Sequence, residues 1–218
     1  MRLLLPPSRT TRDGGPPSAA STRGPLSAPS PRRPMSGAFA RGPLSETSPR
    51  GPLSEAPTGG SLSEAAGRVE GRALPIDHYT GTLYKALAPS AWSAAERRWA
   101  LAHLLLHDKD VGVVAAGSWD PLDLASLDGT LLIDARSKEY VRLIRPPDTA
   151  FGLRVVSEGD DGRRLAISHW NKHYKGVLAR ALVRDRPRIG GVGSLLSWAE
   201  SAGVRLERVG DRELDLVV

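Results

Sequence analysis

Apolar residues along this 218-residue chain are grouped in its first five positions and again from Leu74 to the end. The run at residues 1–5 is closed at once by Pro6-Pro7, which predicts a short strand and is too short for a signal-peptide core or a membrane span. Residues 9–73 are rich in Pro, Gly, Ser and Arg, and the pattern Arg-Gly-Pro-Leu-Ser recurs among them. We expect this segment to be disordered, because it cannot bury enough apolar surface to offset roughly 1–2 kcal/mol of backbone entropy per residue.

Residues 74–218 have the mixed patterns of one α+β domain, to which the N-terminal strand at residues 1–8 adds. Ser93-Ala94-Ala95-Glu96 has the spacing of a capping box, so a helix is predicted over residues 94–106. Short apolar runs that are bounded by Asp and Gly predict two buried strands, at residues 111–116 and 130–134.

A hairpin and a long helix are predicted in the second half of this domain. Residues 151–157 and 163–168 flank a turn rich in Gly and Asp, which predicts the hairpin. From Trp170 onward apolar residues recur at helical spacing, so we expect Trp170 in the core and Lys172 nearly opposite, in solvent. The remaining predicted elements are a helix at 137–144, a helix capped by Ser194, and a strand pair at 204–209 and 213–218.

The charge of the chain is unevenly distributed. The formal net charge is +6 and the pI about 10.0, and residues 1–73 hold ten arginines against five acidic residues. Such a basic tail attracts any polyanion and does not by itself indicate a specific nucleic-acid site. Residues 136–188 hold 13 Lys and Arg against six acidic residues, which favours phosphate contacts by the arginines at 180, 184, 186 and 188.

Cysteine is missing from the sequence. Disulfides, thiol nucleophiles and cysteine-ligated metal centres are therefore excluded, and a reducing compartment fits the composition. With no predicted membrane span or signal peptide, we expect a cytoplasmic protein without a membrane partner.

Four collinear segments resemble the YaaA peroxide stress resistance family. They read MRLLLPPS at 1–8, HYTGTLYKAL at 78–87, LLIDARSKEYVRL at 131–143 and ISHWNKHYKGVLARAL at 167–182, and the final LDLVV is also similar. The family's central Ser-Ala-Leu-aromatic-Gly stretch, with the Leu-Arg-Pro that follows it, has no counterpart between Leu106 and Leu131. The chain is thus identified as a divergent, shortened member.

This resemblance implies an α+β fold, a cytosolic location, a role in resistance to hydrogen peroxide linked to lower free iron, and DNA binding. No settled reaction comes with the family. Because the missing central segment is the one associated with DNA contact, we expect this chain to bind DNA only through loose electrostatic contacts. The resemblance also marks Thr80, Tyr84, Ser137 and Tyr140 as site candidates.

The helix after Ser168 contains the first candidate site. Lys172 lies opposite the predicted apolar stripe with His169 and Lys175 on its flanks, which forms a cationic ridge for an anion or a phosphate. Gly176 would let a ligand or another backbone approach closely. The alternative is an ordinary solvated helix face.

The second candidate site is the strand-to-helix junction at residues 134–140. Arg136, Ser137 and Tyr140 stand where backbone N–H groups and a hydroxyl can hold an anion, and Glu139 is the carboxylate available for acid–base work. The alternative is a helix cap by Ser137 with Tyr140 in the core.

Two histidine pairs have the i, i+4 spacing of metal ligands, His103 with His107 and His169 with His173. Neither pair has a third ligand, so we predict no metal and no cofactor. The expected partners are DNA, through electrostatic contacts, and a small anionic ligand, while the oligomeric state stays open. Two alternatives to a stress protein remain: an enzyme acting on a phosphorylated or anionic small molecule, and a degenerate, non-functional family member.

Overall fold

Two runs of three leucines form the centre of the sheet. The first lies in strand β1 (Arg2–Leu5) and the second in strand β2 (Leu104–Asp108), and the strands pair in parallel with Leu3 beside Leu104. Every leucine of both runs is at most 1% exposed. Continuous apolar runs of this kind are typical of central parallel strands, which are covered on both faces.

The computed structural model describes residues 1–8, 10–12 and 73–218, and all of them belong to one compact unit. The segment predicted to be disordered, 9–73, therefore lies outside the described residues except for 10–12 and Ala73. Residues 10–12 continue the contact of the N-terminal strand with the domain, since Thr11 pairs with Tyr79 and the backbone N–H of Arg12 donates to the carbonyl of His78.

Within the described residues one mixed sheet of eight strands forms in the order β3-β2-β1-β4-β5-β8-β7, with β6 paired to β5. Five strands of this sheet are parallel to one another: β1, β2, β4, β5 and β8. The other three are antiparallel to their partners, β3 to β2, β6 to β5 and β7 to β8. The other strands are β3 (Gly112–Ala115), β4 (Leu132–Asp134), β5 (Phe151–Glu158), β6 (Arg164–Ala166), β7 (Leu206–Gly210) and β8 (Glu213–Val217).

Six α-helices accompany this sheet in the described ranges. Five contribute to the main core on one face, together with Leu3, Leu5 and Ile133. The opposite face packs Leu4, Leu105 and Leu132 against a 3-10 helix at Leu124–Leu127. The helices are α1 (Pro75–His78), α2 (Thr82–Leu87), α3 (Ala94–His103), α4 (Lys138–Leu143), α5 (Asn171–Asp185) and α6 (Val192–Ser201).

The predicted α+β class is confirmed, as are the hairpin of β5 with β6 and the closing pair of β7 with β8. The capping box of α3 is also confirmed, because Ser93 Oγ accepts from the N–H of Glu96 and Glu96 accepts from the N–H of Ser93. None of the helices within the described residues is long and apolar enough to cross a membrane.

The predicted helix over 94–106 is wrong at its end. Helix α3 stops at His103, and the next five residues form β2, all of them buried. Three consecutive leucines would put apolar groups all around a helix, whereas a central strand buries both of its faces.

The predicted orientation of α5 is also wrong. Trp170, expected in the core, is 57% exposed, and Val177 is exposed as well. Lys175, expected on a solvated flank, is 5% exposed. Gly176 explains the difference, because a Cβ at this position would overlap the carbonyl oxygen of Leu83 in α2. The glycine lets α2 approach α5 closely, and this contact sets which face is buried.

Candidate functional site at the carboxyl edge of β1 and β4

The chain leaves β1 and β4 in opposite directions. From β1 it passes to β2 on one side, and from β4 through α4 to β5 on the other side. Because β1 and β4 are adjacent and parallel, their carboxyl ends flank a topological switch point. Open sheets that contain parallel strands bind ligands in the crevice at such a point.

Buried polar side chains are concentrated at this edge. Of the eight buried polar or charged residues in the described ranges, only Asp215 belongs to the other half of the sheet. The remaining seven follow or face the ends of β1, β2 and β4. They are Ser8, His78, His107, Asp108, Asp134, Arg136 and Lys175. Burial of polar groups costs free energy, so such a concentration marks a functional-site candidate.

A cleft of about 300 Å³ lies beside the end of β1 and is called the β1 cleft here. Hydroxyl groups and two lysines dominate its lining. Gly81 lies close to Ser8 in its wall, so a Cβ there would force the Ser8 hydroxyl to shift. The N–H of Thr80 donates to the carbonyl of Thr10 over 3.1 Å, which joins the two walls. The lining residues with polar side chains are Ser8, Thr10, Thr80, Thr82, Tyr84, Lys85 and Lys172.

A second cleft, of about 480 Å³, lies between α4 and the start of α5 and is called the α4 cleft. Lys172 lines both clefts, and its Nζ donates to the carbonyl oxygen of Pro7 over 3.4 Å. The two clefts therefore adjoin at this lysine. The lining residues of the α4 cleft are Ser137, Glu139, Tyr140, Ser168, His169 and Lys172.

Most of the site residues predicted from the sequence line these clefts. His169, Ser137 and Tyr140 lie with Lys172 in the α4 cleft, and Thr80 and Tyr84 lie with it in the β1 cleft. Tyr84 is anchored rather than exposed, since its hydroxyl donates to the carbonyl of Pro6 over 3.3 Å. Burial raises the pKa of Tyr84, with Asp108 adding to the effect.

Arg136 lies in neither cleft and instead stabilises the local fold. Its guanidinium binds both carboxylate oxygens of Asp134 and donates to the carbonyl of Ile144 over 2.8 Å, with no side-chain exposure. This bidentate pair joins the end of β4 to the end of α4.

Lys175 is buried behind Lys172. Burial lowers its pKa to about 8, and the positive charge of Lys172 adds to this effect, while Asp134 opposes it. A buried lysine with a lowered pKa, next to a lysine that lines two polar clefts, is a feature of binding and catalytic sites, because a bound anion would offset the charge of both.

A third cluster at this edge was not predicted from the sequence. The Tyr79 hydroxyl donates to Asp108, and Asp108 also accepts from the backbone N–H groups of Asp110 and Val111. Burial alone would raise the pKa of Asp108, but these hydrogen bonds lower it below its usual value. One signal in the sequence could have indicated this cluster. The polar pair His107-Asp108 directly follows three leucines, and in a buried strand such a pair marks the end of the strand.

His103 and His107 do not share a helical face. His103 ends α3 and stacks on Trp99, whereas His107 lies in β2 beside Tyr140. No group of three or more His, Asp or Glu side chains within the described ranges is placed to hold a metal ion. The Nδ1 atoms of His78 and His107 are buried without a hydrogen-bond partner among the described residues, and burial lowers the pKa of both imidazoles.

The basic window at residues 136–188 is less cationic than its composition indicates. Six of its 13 cationic side chains form ion pairs with carboxylates, which reduces the positive charge available to a polyanion. These six are Arg136, Arg145, Arg154, Arg163, Arg164 and Arg184.

The fold and the site together define an α+β protein with a polar, lysine-containing cleft at the switch point of its sheet. No family model matches the chain. It is similar to a UPF0246 protein of Corynebacterium efficiens, with 33% identity over 157 residues that cover 59% of this chain and 62% of that protein. It is also similar to a UPF0246 protein of Corynebacterium glutamicum, with 43% identity over 77 residues, 35% of this chain and 31% of that protein.

These relatives confirm the resemblance that the sequence predicted. The chain is similar to UPF0246 proteins, the family that includes YaaA. The matched region spans less than two thirds of the length of each of these relatives.

Proposed function

We propose that the β1 and α4 clefts bind a small anionic ligand, and that this binding serves a YaaA-like role in the cytoplasmic response to hydrogen peroxide. The observation that carries the proposal is the position of Lys172 at the junction of both clefts, with the buried Lys175 behind it. The peroxide role itself is supported by the family resemblance.

The electrostatics of the site favour an anion. Two lysines lie within one turn of α5, and burial, with the charge of Lys172 adding to it, lowers the pKa of Lys175. An anion bound at Lys172 would also offset the charge of Lys175. The 15-residue helix α5 also begins here without a side-chain cap and without an acidic residue in its first turn. Its first N–H groups and the positive end of its dipole add to the attraction.

Binding of inorganic phosphate or pyrophosphate, measured by calorimetry, tests this proposal. Lys172→Ala should weaken the affinity by about tenfold or more, since it removes a charged hydrogen-bond donor. Arg98→Ala is the matched control, because this exposed arginine lies on α3 and lines neither cleft. Equal affinity in the wild-type and Lys172→Ala proteins would exclude the proposed site.

Duplex DNA is a second candidate partner, favoured by the exposed Arg180, Arg186 and Arg188. The contact is electrostatic and has no preferred sequence, so its affinity should fall steeply between low and physiological salt. Replacing these three arginines by alanine should weaken DNA binding while phosphate binding at Lys172 is retained. Salt-tolerant binding by the triple variant would contradict this arrangement.

The peroxide role is tested in a bacterial strain that lacks its own YaaA-family gene. Expression of the wild-type chain should restore survival in hydrogen peroxide, and so should expression of the Arg98→Ala control. Lys172→Ala should not restore survival if anion binding underlies the role. Full rescue by Lys172→Ala would separate the peroxide role from this site.

A further inference from the structure

We propose that the ligand is a nucleoside monophosphate, with its phosphate in the β1 cleft and its nucleoside in the α4 cleft. This inference rests on the proposed anion site and specifies the class of molecule that it takes. Its basis is the chemical difference between two clefts that share a single lysine.

The β1 cleft has the lining of a phosphate subsite. Hydroxyl groups of Ser8, Thr10, Thr80 and Thr82 surround it, and Lys85 and Lys172 are the cations of its wall. Hydroxyls and ammonium groups are among the side-chain donors that bind phosphate oxygens, and no carboxylate lines this cleft among the described residues. At about 300 Å³ the cleft lies at the lower limit of small-molecule pockets, so it suits one part of a ligand rather than the whole.

The α4 cleft has a different lining. The half-buried ring of Tyr140 and the imidazole of His169 offer surfaces on which a planar base can stack. The Glu139 carboxylate and the hydroxyls of Ser137 and Ser168 are suitable partners for ribose hydroxyls or exocyclic amino groups. A sugar and a base therefore match this cleft better than a second anion does.

Glu139 also limits the number of phosphates. A diphosphate or triphosphate that extended from the β1 cleft past Lys172 would bring negative charge towards this carboxylate. Like charges at close range cost free energy, which selects a monophosphate over longer phosphate chains. The same repulsion disfavours the continuous backbone of a nucleic acid.

Calorimetric titration of the full-length chain compares four groups of ligands: inorganic phosphate, ribose 5-phosphate, the monophosphates AMP, GMP, CMP and UMP, and the matching triphosphates. At least one monophosphate should bind about tenfold more tightly than ribose 5-phosphate, which is the scale of one base–aromatic stacking contact. It should also bind more tightly than its triphosphate.

Variants then assign the two halves of the ligand. Tyr140→Ala should reduce the affinity for the monophosphate to about that for ribose 5-phosphate and leave phosphate binding unchanged. Tyr140→Phe keeps the ring and should retain the monophosphate affinity. Glu139→Gln should abolish the discrimination against triphosphates, whereas the control Glu200→Gln, an exposed residue of α6, should not.

The outcomes separate this inference from the anion site on which it rests. If phosphate binds through Lys172 but every monophosphate binds no more tightly than ribose 5-phosphate, the nucleotide inference is wrong and the anion site stands. Triphosphates that bind more tightly than monophosphates also overturn it. If phosphate binding does not depend on Lys172, both proposals fail together.

Discussion

Charged side chains are arranged differently in the two halves of the sheet. At the carboxyl edge of β1, β2 and β4, charged and imidazole groups are buried, and the Nδ1 atoms of two of them, His78 and His107, have no hydrogen-bond partner among the described residues. In the half formed by β5 to β8, charges lie mostly at the surface in a network of ion pairs around Arg164, Glu207 and Glu158. In the half formed by β5 to β8 the charges are paired within the protein. At the edge of β1, β2 and β4, in contrast, polar groups are available to a ligand.

Loss of one carboxylate from each half gives the largest expected difference. Asp134→Asn leaves the guanidinium of Arg136 buried without its counter-ion, which should lower the free energy of unfolding by about 3–5 kcal/mol. Glu207→Gln should cost about 1 kcal/mol or less, because this carboxylate is 40% exposed and its partner Arg205 is 57% exposed and can turn to water. Urea unfolding measures both values. Equal losses would remove the contrast between the two halves.

Lys175→Met should stabilise the protein at neutral pH, by up to about 3 kcal/mol, because it removes a buried ammonium. In the wild-type chain the pKa of Lys175 is lowered to about 8 from 10.5, so the unfolded state binds more protons between these values. The free energy of unfolding should therefore rise as the pH increases from about 8 to 10.5, with Lys172 and Asp134 as the charges facing Lys175. Urea unfolding as a function of pH should show a flatter profile for Lys175→Met, and a profile identical to that of the wild type would contradict this account.

Acid should destabilise the half that contains β1, β2 and β4 through its buried imidazoles. Burial and Arg136 lower the pKa of His107, while Asp134 and Asp108 oppose this effect. The unfolded state is protonated first, so the contribution of His107 to stability is lost as the pH falls below 6.5. Thermal unfolding of His107→Gln should depend less on pH in this range than that of His173→Gln, a half-buried control on α5. If the pH dependence of His107→Gln were the same as that of the wild type, groups other than His107 would control the stability in this pH range.

The surface ion pairs of the other half should contribute little. Arg205 is 57% exposed and pairs with Glu158 and Glu207 at the edge of the sheet. Arg205→Ala should change the free energy of unfolding by less than about 1 kcal/mol, and added salt should reduce the difference further. A loss comparable to that of Asp134→Asn would mean that this network is as essential as the buried pair.

The smallest effect is expected at Trp170. Because its side chain lies on the exposed side of the helix start, Trp170→Asp should change the free energy of unfolding by about 0.5 kcal/mol or less. Leu182→Ala, at a position on the same helix that is 2% exposed, should cost about 2–5 kcal/mol. Similar losses of unfolding free energy in both variants would instead support the helix orientation that the sequence pattern predicted, with Trp170 in the core.

Local patterns in the sequence were sufficient for the elements whose signals lie within a few residues. The capping box at Ser93 and Glu96, the turn between β5 and β6, and the closing strand pair are all present because short-range hydrogen bonds and turn chemistry decide them. The clustering of Lys172 with His169, Ser137 and Tyr140 also agrees with the segments that carry the family resemblance.

Tertiary structure decided what depends on neighbours distant in sequence. Leu104–Asp108 form a strand because β1 and β3 pair on either side of it, and no local signal ends helix α3 at His103. The orientation of α5 depends on the close approach of α2 at Gly176, which buries Lys175 and exposes Trp170. Asp108 meets Tyr79 only in the folded chain. In each case the deciding contact joins residues that are distant in sequence and become neighbours only when the sheet and helices pack. The hydrophobic periodicity of a single segment does not reveal such contacts.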